Sequence, residues 1–190
     1  PNWSLDHHAY LNVGYIVVSL SNLAMIHFYC KERGYEAPPE LYWHLEEVWQ
    51  ITKRFTFPDG RLLRIGGDTR ARYTYCQNYA IPVWLMAADL FGDRDAAQFE
   101  RGFLAQMKRE QEYSGDGGFY TKRLDNIRRI NYYYYARLES DAPLCLSYGA
   151  YWRRKFQLAQ CPEKPDANPP CAWQDEYHGA TLNRSRGAIR

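Results

Sequence analysis

Apolar residues recur three and four positions apart through the first long segment, about Ala9 to Arg33. Val13, Ile16, Val17, Leu20, Leu23 and Ala24 mark one helical face. Val18, Ile26 and Phe28 add apolar character to the other faces, so this pattern predicts a helix buried nearly all round. Gly34 suits its C-terminal cap, and the prolines that follow stop continuation. The next segment, about Pro39 to Phe55, reads differently. Leu41, Leu45, Val48, Thr52 and Phe55 form one stripe opposite Glu40, Glu46, Glu47, Gln50, Lys53 and Arg54, which predicts an amphipathic helix opened by Pro39.

After a loop with Pro-Asp-Gly and Gly-Gly turns, the alternation repeats. "YAIPVWLMAADLF" (79–91) is apolar on all faces, with Pro82 opening or kinking it. About Arg94 to Glu112, Ala96, Phe99, Phe103 and Met107 make a stripe, with Asp93 placed to cap it. A second Asp-Gly loop at Gly117 echoes the first at Gly60, and a third aromatic segment begins at "RRINYYYYARL". Buried helix, amphipathic helix and Gly-rich loop in repetition predict an all-α, helical-hairpin α/α toroid, incomplete over residues 1–158. The Pro-rich stretch between Cys161 and Cys171 then predicts a linker. "YHGATLNRSR" reads as a first strand, so 159–190 is expected to start a following β domain.

Composition narrows the partners. A net charge of +2 gives no argument for nucleic acid or an anionic membrane, and the most apolar window, Val13 to Met25, is short and interrupted by Ser and Asn. No membrane span is expected, and the chain, beginning at Pro1, reads as a piece of a longer protein. Seventeen Tyr and six Trp supply amphipathic rings of the kind that line carbohydrate sites as well as cores. Five cysteines are an odd set. Cys161 and Cys171 could pair, while no zinc-like spacing, phosphate loop or nucleophile elbow occurs. No metal or cofactor is expected.

Chemistry concentrates where the loops enter the buried helices. "NWSLDHHAYLN" offers Asp6 as a helix cap, His7 and His8 as candidate bases, and Asn12 one turn beyond His8 as a carboxylate holder. "GGDTRARYTYCQNY" combines Arg70 and Arg72, suited to bidentate carboxylate binding, with Tyr73, Tyr75, Asn78 and Tyr79. "RLDNIRRINYYYY" places Arg128 and Arg129 ahead of Tyr132 to Tyr135, of which only one or two can face a cavity. Three such entrances point to a shared cavity.

Together, "LDHHAYLNVGY", "PDGRLLRIGGDTRARYTY" and the exit into "DEYHGATLNRSRGAIR" resemble heparinase II/III-type and alginate-lyase-type proteins. The resemblance implies a partial α/α toroid followed by an antiparallel β-sandwich, and a lyase that cleaves uronate-containing polysaccharides or oligosaccharides by β-elimination. In such lyases an Asn or His neutralises the uronate carboxylate, a Tyr or His takes the C5 proton, and a Tyr returns a proton to the leaving oxygen. By the same resemblance His8 matches the His, Tyr73 or Tyr75 matches the catalytic Tyr, and Asp6 or His7 stands where those proteins carry Asn. His7, Asn12, Arg70, Arg72, Asn78, Arg129 and Tyr132 are then the expected substrate contacts, with an anionic glycan as partner. The alternatives are a toroid glycoside hydrolase using Asp pairs drawn from Asp6, Asp68, Asp116 and Asp125, and a non-catalytic helical-repeat scaffold.

Overall fold

The computed structural model describes residues 3–63, 76–158, 170–185 and 188–189. Helix α1, Val13–Arg33, begins later than its apolar pattern predicts because the Asn12 side-chain oxygen accepts the Tyr15 amide at 2.9 Å and starts the helix there. Gly34, in the left-handed region, closes it. The expected second helix is split. A 3₁₀ turn covers Pro39–Tyr42, His44 adopts a left-handed backbone, and only then does α2 run, Leu45–Arg54.

Helix α3, Ala80–Phe91, keeps Pro82 in its first turn, where a missing N–H costs nothing, and every residue from Ala80 to Ala87 is buried. Asp93 caps α4, Arg94–Ser114, accepting the Asp95 amide at 2.9 Å. Trp49 Nε1–H of α2 donates to the same carboxylate at 2.8 Å, and Lys53 bridges Asp93 and Asp95. The short α5, Asp125–Ile130, leads into α6, Tyr132–Phe156.

The core is organised around α3, which packs against α1, α4 and α6. Phe28 stacks on Trp152 with ring centroids 4.5 Å apart, joining α1 to α6, and Trp84 meets Phe103 edge-on across α3 and α4. The Pro-Asp-Gly turn presses onto α4 so closely that a Cβ on Gly60 would lie 2.3 Å from the Phe99 carbonyl oxygen, and one on Gly102 would lie 2.7 Å from Asp59 Cα. Both positions therefore require glycine.

This overturns the toroid. Among the described residues there are six α-helices, too few to ring a hollow, and the middle of the assembly is filled by α3. A helix surrounded by three others is apolar on every face just as the inner wall of a ring would be, so the alternation of patterns did not separate the two arrangements. At 21 residues α1 is long and apolar enough, by length and composition, to cross a membrane, yet more than half of its apolar window is buried inside the protein. No clear membrane span results.

The C-terminal segment forms a small antiparallel sheet in the order β1–β2–β3: Cys171–Asp175, Ala180–Ser185 and Ala188–Ile189. In register, Trp173 faces Leu182. The sheet docks on the helical layer. Leu182 joins the core, Trp173 meets Phe55 edge-on, and Arg184 donates to the carbonyls of Arg54 and Thr56. Those carbonyls lie at and just beyond the end of α2, where no helical N–H reaches them.

Candidate functional site

The ends of the described chain meet. Residues 3–12 form a tight turn, bridged between Asp6 and Leu11, and the turn between β1 and β2 lies against it. Asp175, fully buried, accepts hydrogen bonds from the Ser4 hydroxyl at 2.6 Å and from the His178 amide at 3.2 Å, and its Oδ2 lies 2.6 Å from His178 Nδ1. On the other side of the ring, His178 Nε2 lies 3.3 Å from Asp6 Oδ2. The imidazole is thus held between a buried carboxylate and one that is 44% exposed. A neutral ring has one N–H, so it donates to both carboxylates only in its cationic form.

The same turn displays the other two imidazoles. His7 stacks on Tyr15 at 4.0 Å, its Nδ1 lies 3.3 Å from the Asn12 amide nitrogen, and its ring centroid is 4.1 Å from that of His8. His8 is exposed. His8 and Ala9 have positive φ, 59° and 64°, and so does Trp3 at 53°. Left-handed backbone at three non-glycine residues in so short a stretch is costly and persists only where the surroundings fix it. These angles also correct the expectation that His8 and Asn12 share a helical face. Asn12 is a buried cap that positions His7, and Asp6 accepts the Ala9 amide at 3.3 Å within the turn instead of capping a helix.

An aromatic wall lies at the start of the turn, and neither His7 nor His8 lines the two cavities beside it. Trp3 stacks on His44 with centroids 3.9 Å apart, and Trp43 stacks on the same imidazole at 5.0 Å with 76% of its surface exposed. A cavity of about 460 Å³ opens here, lined by Trp3, Ser4, Asp6, Ser19 and Trp43 over apolar α1 and α2 side chains. A second, of about 660 Å³, lies on the other side of Trp3 between α2 and β1. Both fall within the size range of small-ligand clefts, about 300–1,000 Å³.

The remaining expected residues are placed as follows. Arg70, Arg72, Tyr73 and Tyr75 lie outside the described residues. Asn78 is fully buried at the start of α3, where its side-chain oxygen accepts the Tyr120 hydroxyl at 2.8 Å. Burial, opposed by that hydrogen bond, pushes the Tyr120 phenol well above its ordinary value. Arg129 is exposed and paired with Asp125 at 2.7 Å, and Tyr132 is 66% exposed. None of these three lines the two cavities at Trp3.

The expected meeting of the three entrances at one hollow is not found among the described residues. His27 and Lys31 of α1 bind Asp89 of α3, while Phe28 and Glu32 meet Trp152 and Lys155 of α6. These contacts match the C-terminal half of α1 with those of α3 and α6, while Gly149, late in α6, packs against Ile81 in the first turn of α3. The N-terminus of α3 therefore lies beside the C-terminal half of α6, well along that helix from its start at Asn131, and the three entrances do not form one rim. Ser4, Trp3, Trp43, His44, Asp175 and His178 escape a sequence reading because their meeting is tertiary. The available hints were a Trp beside a polar turn and an acid three residues before a His in "DEYHG". Among the described residues no group of three or more His, Cys, Asp or Glu side chains could hold a metal ion. No protein-family model, no curated protein and no solved structure matches the chain.

Proposed function

We propose that this chain acts on uronate-containing polysaccharides or oligosaccharides, cleaving them by β-elimination at the turn formed by residues 3–12. The observation that carries the reading is the pairing of His7 and His8, ring centroids 4.1 Å apart, in one strained turn that begins at Trp3, which lines a cavity with the exposed Trp43. Indole faces take the apolar face of a pyranose ring, and a neutral imidazole is a base matched to ordinary pH.

In this reading His8 takes the C5 proton of the uronate. The C5–H electrons form the C4–C5 double bond as the C4–O bond breaks, and the leaving oxygen receives a proton. Tyr10, whose ring centroid lies 6.5 Å from that of each imidazole, is placed to return it. His7 is oriented by Asn12 and Tyr15. The N-terminus of α1, which begins at Asn12, favours an anionic ligand beside the turn. His178 acts as a positioning residue, since its ring is buried between Asp6 and Asp175.

The test is incubation with unsulfated and sulfated uronate polymers, followed by the ultraviolet absorbance of the 4,5-unsaturated product. Unsaturated ends should appear, and His8→Ala should lower their rate by roughly a hundredfold or more, as loss of a general base does. Reducing ends without that absorbance would mean hydrolysis instead. Full activity in His8→Ala would remove His8 from the reaction.

A further inference from the structure

The cavity between α2 and β1 carries chemistry that β-elimination at His8 does not use. It is lined by Trp3, Glu46, Glu47, Gln50, Ile51, Arg54, Trp173 and Gln174. The half-buried Arg54 forms no ion pair among the described residues, although acidic side chains share the cavity. Glu47 is engaged by His44 at 3.1 Å, and Glu46 is exposed on the first turn of α2. Two indoles, Trp3 and Trp173, and two amides, Gln50 and Gln174, complete the lining. A guanidinium without an acidic partner, next to ring faces and amide groups, matches a sugar that carries a single carboxylate.

We infer that this cavity is a recognition subsite for one uronate ring, with Arg54 binding its carboxylate and Trp3 and Trp173 flanking the ring. The inference rests on the glycan reading above and extends it. Trp3 borders both cavities, so a chain crossing it would place one residue against Arg54 and its neighbour in the cavity that Asp6 and Trp43 line. The positive φ of Trp3, fixed by its stack on His44, is what turns the indole into this shared position. The acidic rim sets a charge limit as well. One carboxylate is balanced by Arg54, whereas additional sulfates would face Glu46 and Glu47, so the subsite selects unsulfated uronate over sulfated glycan.

The experiment measures binding by calorimetry in the His8→Ala background, where the probes stay intact. The probes are an oligoglucuronate tetrasaccharide, its carboxyl-reduced neutral counterpart and its sulfated derivative. The acidic unsulfated probe should bind roughly tenfold more tightly than the neutral one, the worth of a hydrogen bond to a charged group. Arg54→Gln should abolish that difference, Arg54→Lys should restore part of it, and circular dichroism should show both variants folded. Equal binding of neutral and acidic probes, tighter binding of the sulfated probe, no binding of any probe, or an Arg54→Gln variant that keeps the preference would each overturn the subsite. Arg54-dependent binding by a chain that forms no unsaturated product would keep the subsite and remove β-elimination. Product formation with binding indifferent to Arg54 would do the reverse.

Discussion

Replacing Asp175 by alanine removes the acceptor on which both ends of the described chain converge. The carboxylate is fully buried and accepts from Ser4 Oγ at 2.6 Å and from the His178 amide at 3.2 Å, with the His178 ring nitrogen 2.6 Å away. Each hydrogen bond to a charged group contributes about 1.5–3 kcal/mol, but the three share one site and do not add in full. The ring of His178, only 4% exposed, would keep the Asp6 carboxylate on one side and lose its buried partner on the other. Breaking a buried pair by removing one member costs about 3–5 kcal/mol, and that is the expected loss. For a chain of this size it corresponds to a fall in Tm of about 10 °C. Urea unfolding followed by tryptophan fluorescence measures it, since Trp173 lies in the same strand. A cycle with His178→Ala should show coupling of about 1–3 kcal/mol. A loss under about 1 kcal/mol, or additive single effects, would refute the clasp as an energetic link between the N-terminal turn and the sheet.

Two further predictions follow from buried groups. Burial raises the Asp89 carboxyl, but hydrogen bonds from His27 and Lys31 outweigh it and hold the group below its ordinary value. Its stabilisation is therefore present above the unfolded carboxylate range, about pH 4, and is lost as pH falls through the lower folded pKa. Asp89→Asn should then be destabilised at neutral pH and lose less on acidification below about pH 4 than the unaltered chain, in urea midpoints measured across that range; parallel curves would contradict this. Burial pushes the Cys145 thiol up to about 12, and Cys30 and Cys76 are also buried, so brief alkylation of the native chain should spare all three and label half-buried Cys171, read by peptide mass spectrometry.

The helices were legible in the sequence because their patterns are local. The all-round apolar run of 79–91 became α3, and the Ala96, Phe99, Phe103, Met107 stripe became the buried face of α4. The caps Gly34 and Asp93 were equally plain. The break before α2 was not. His44 takes a left-handed backbone while stacked between Trp3 and Trp43, and no periodicity in residues 39–55 reports a ring brought from residue 3. The toroid failed for a related reason, since a pattern states that a helix is covered and not by how many neighbours. Of the candidate site, the histidine-rich turn was visible as composition. Its partners Asp175 and His178 were hinted at only by their own spacing, since their meeting with Ser4 and Asp6 spans most of the chain.

That separation bears on why the turn can hold its geometry. Positive φ at Trp3, His8 and Ala9 is unfavourable for residues with a Cβ, and an unrestrained segment would relax out of it. Here Trp3 and Ala9 each have a restraint, while the exposed His8 has its ring beside that of His7. Trp3 is stacked on His44, the Ala9 amide is bound by Asp6, and Asp6 in turn meets His178, whose other nitrogen faces fully buried Asp175. Leu11 of the turn joins the core, and Trp3 and Leu5 pack against it, so the strained turn is anchored by the core as well as by these contacts. Restraints that stabilise an otherwise unfavourable loop also limit the directions that His7 and His8 can take. The same restraints leave Trp3 between two cavities, which ties the proposed base and the proposed carboxylate subsite to one element. Loosening the clasp should therefore disturb both binding and turnover, whereas substitutions in α4 away from Asp93 should disturb neither.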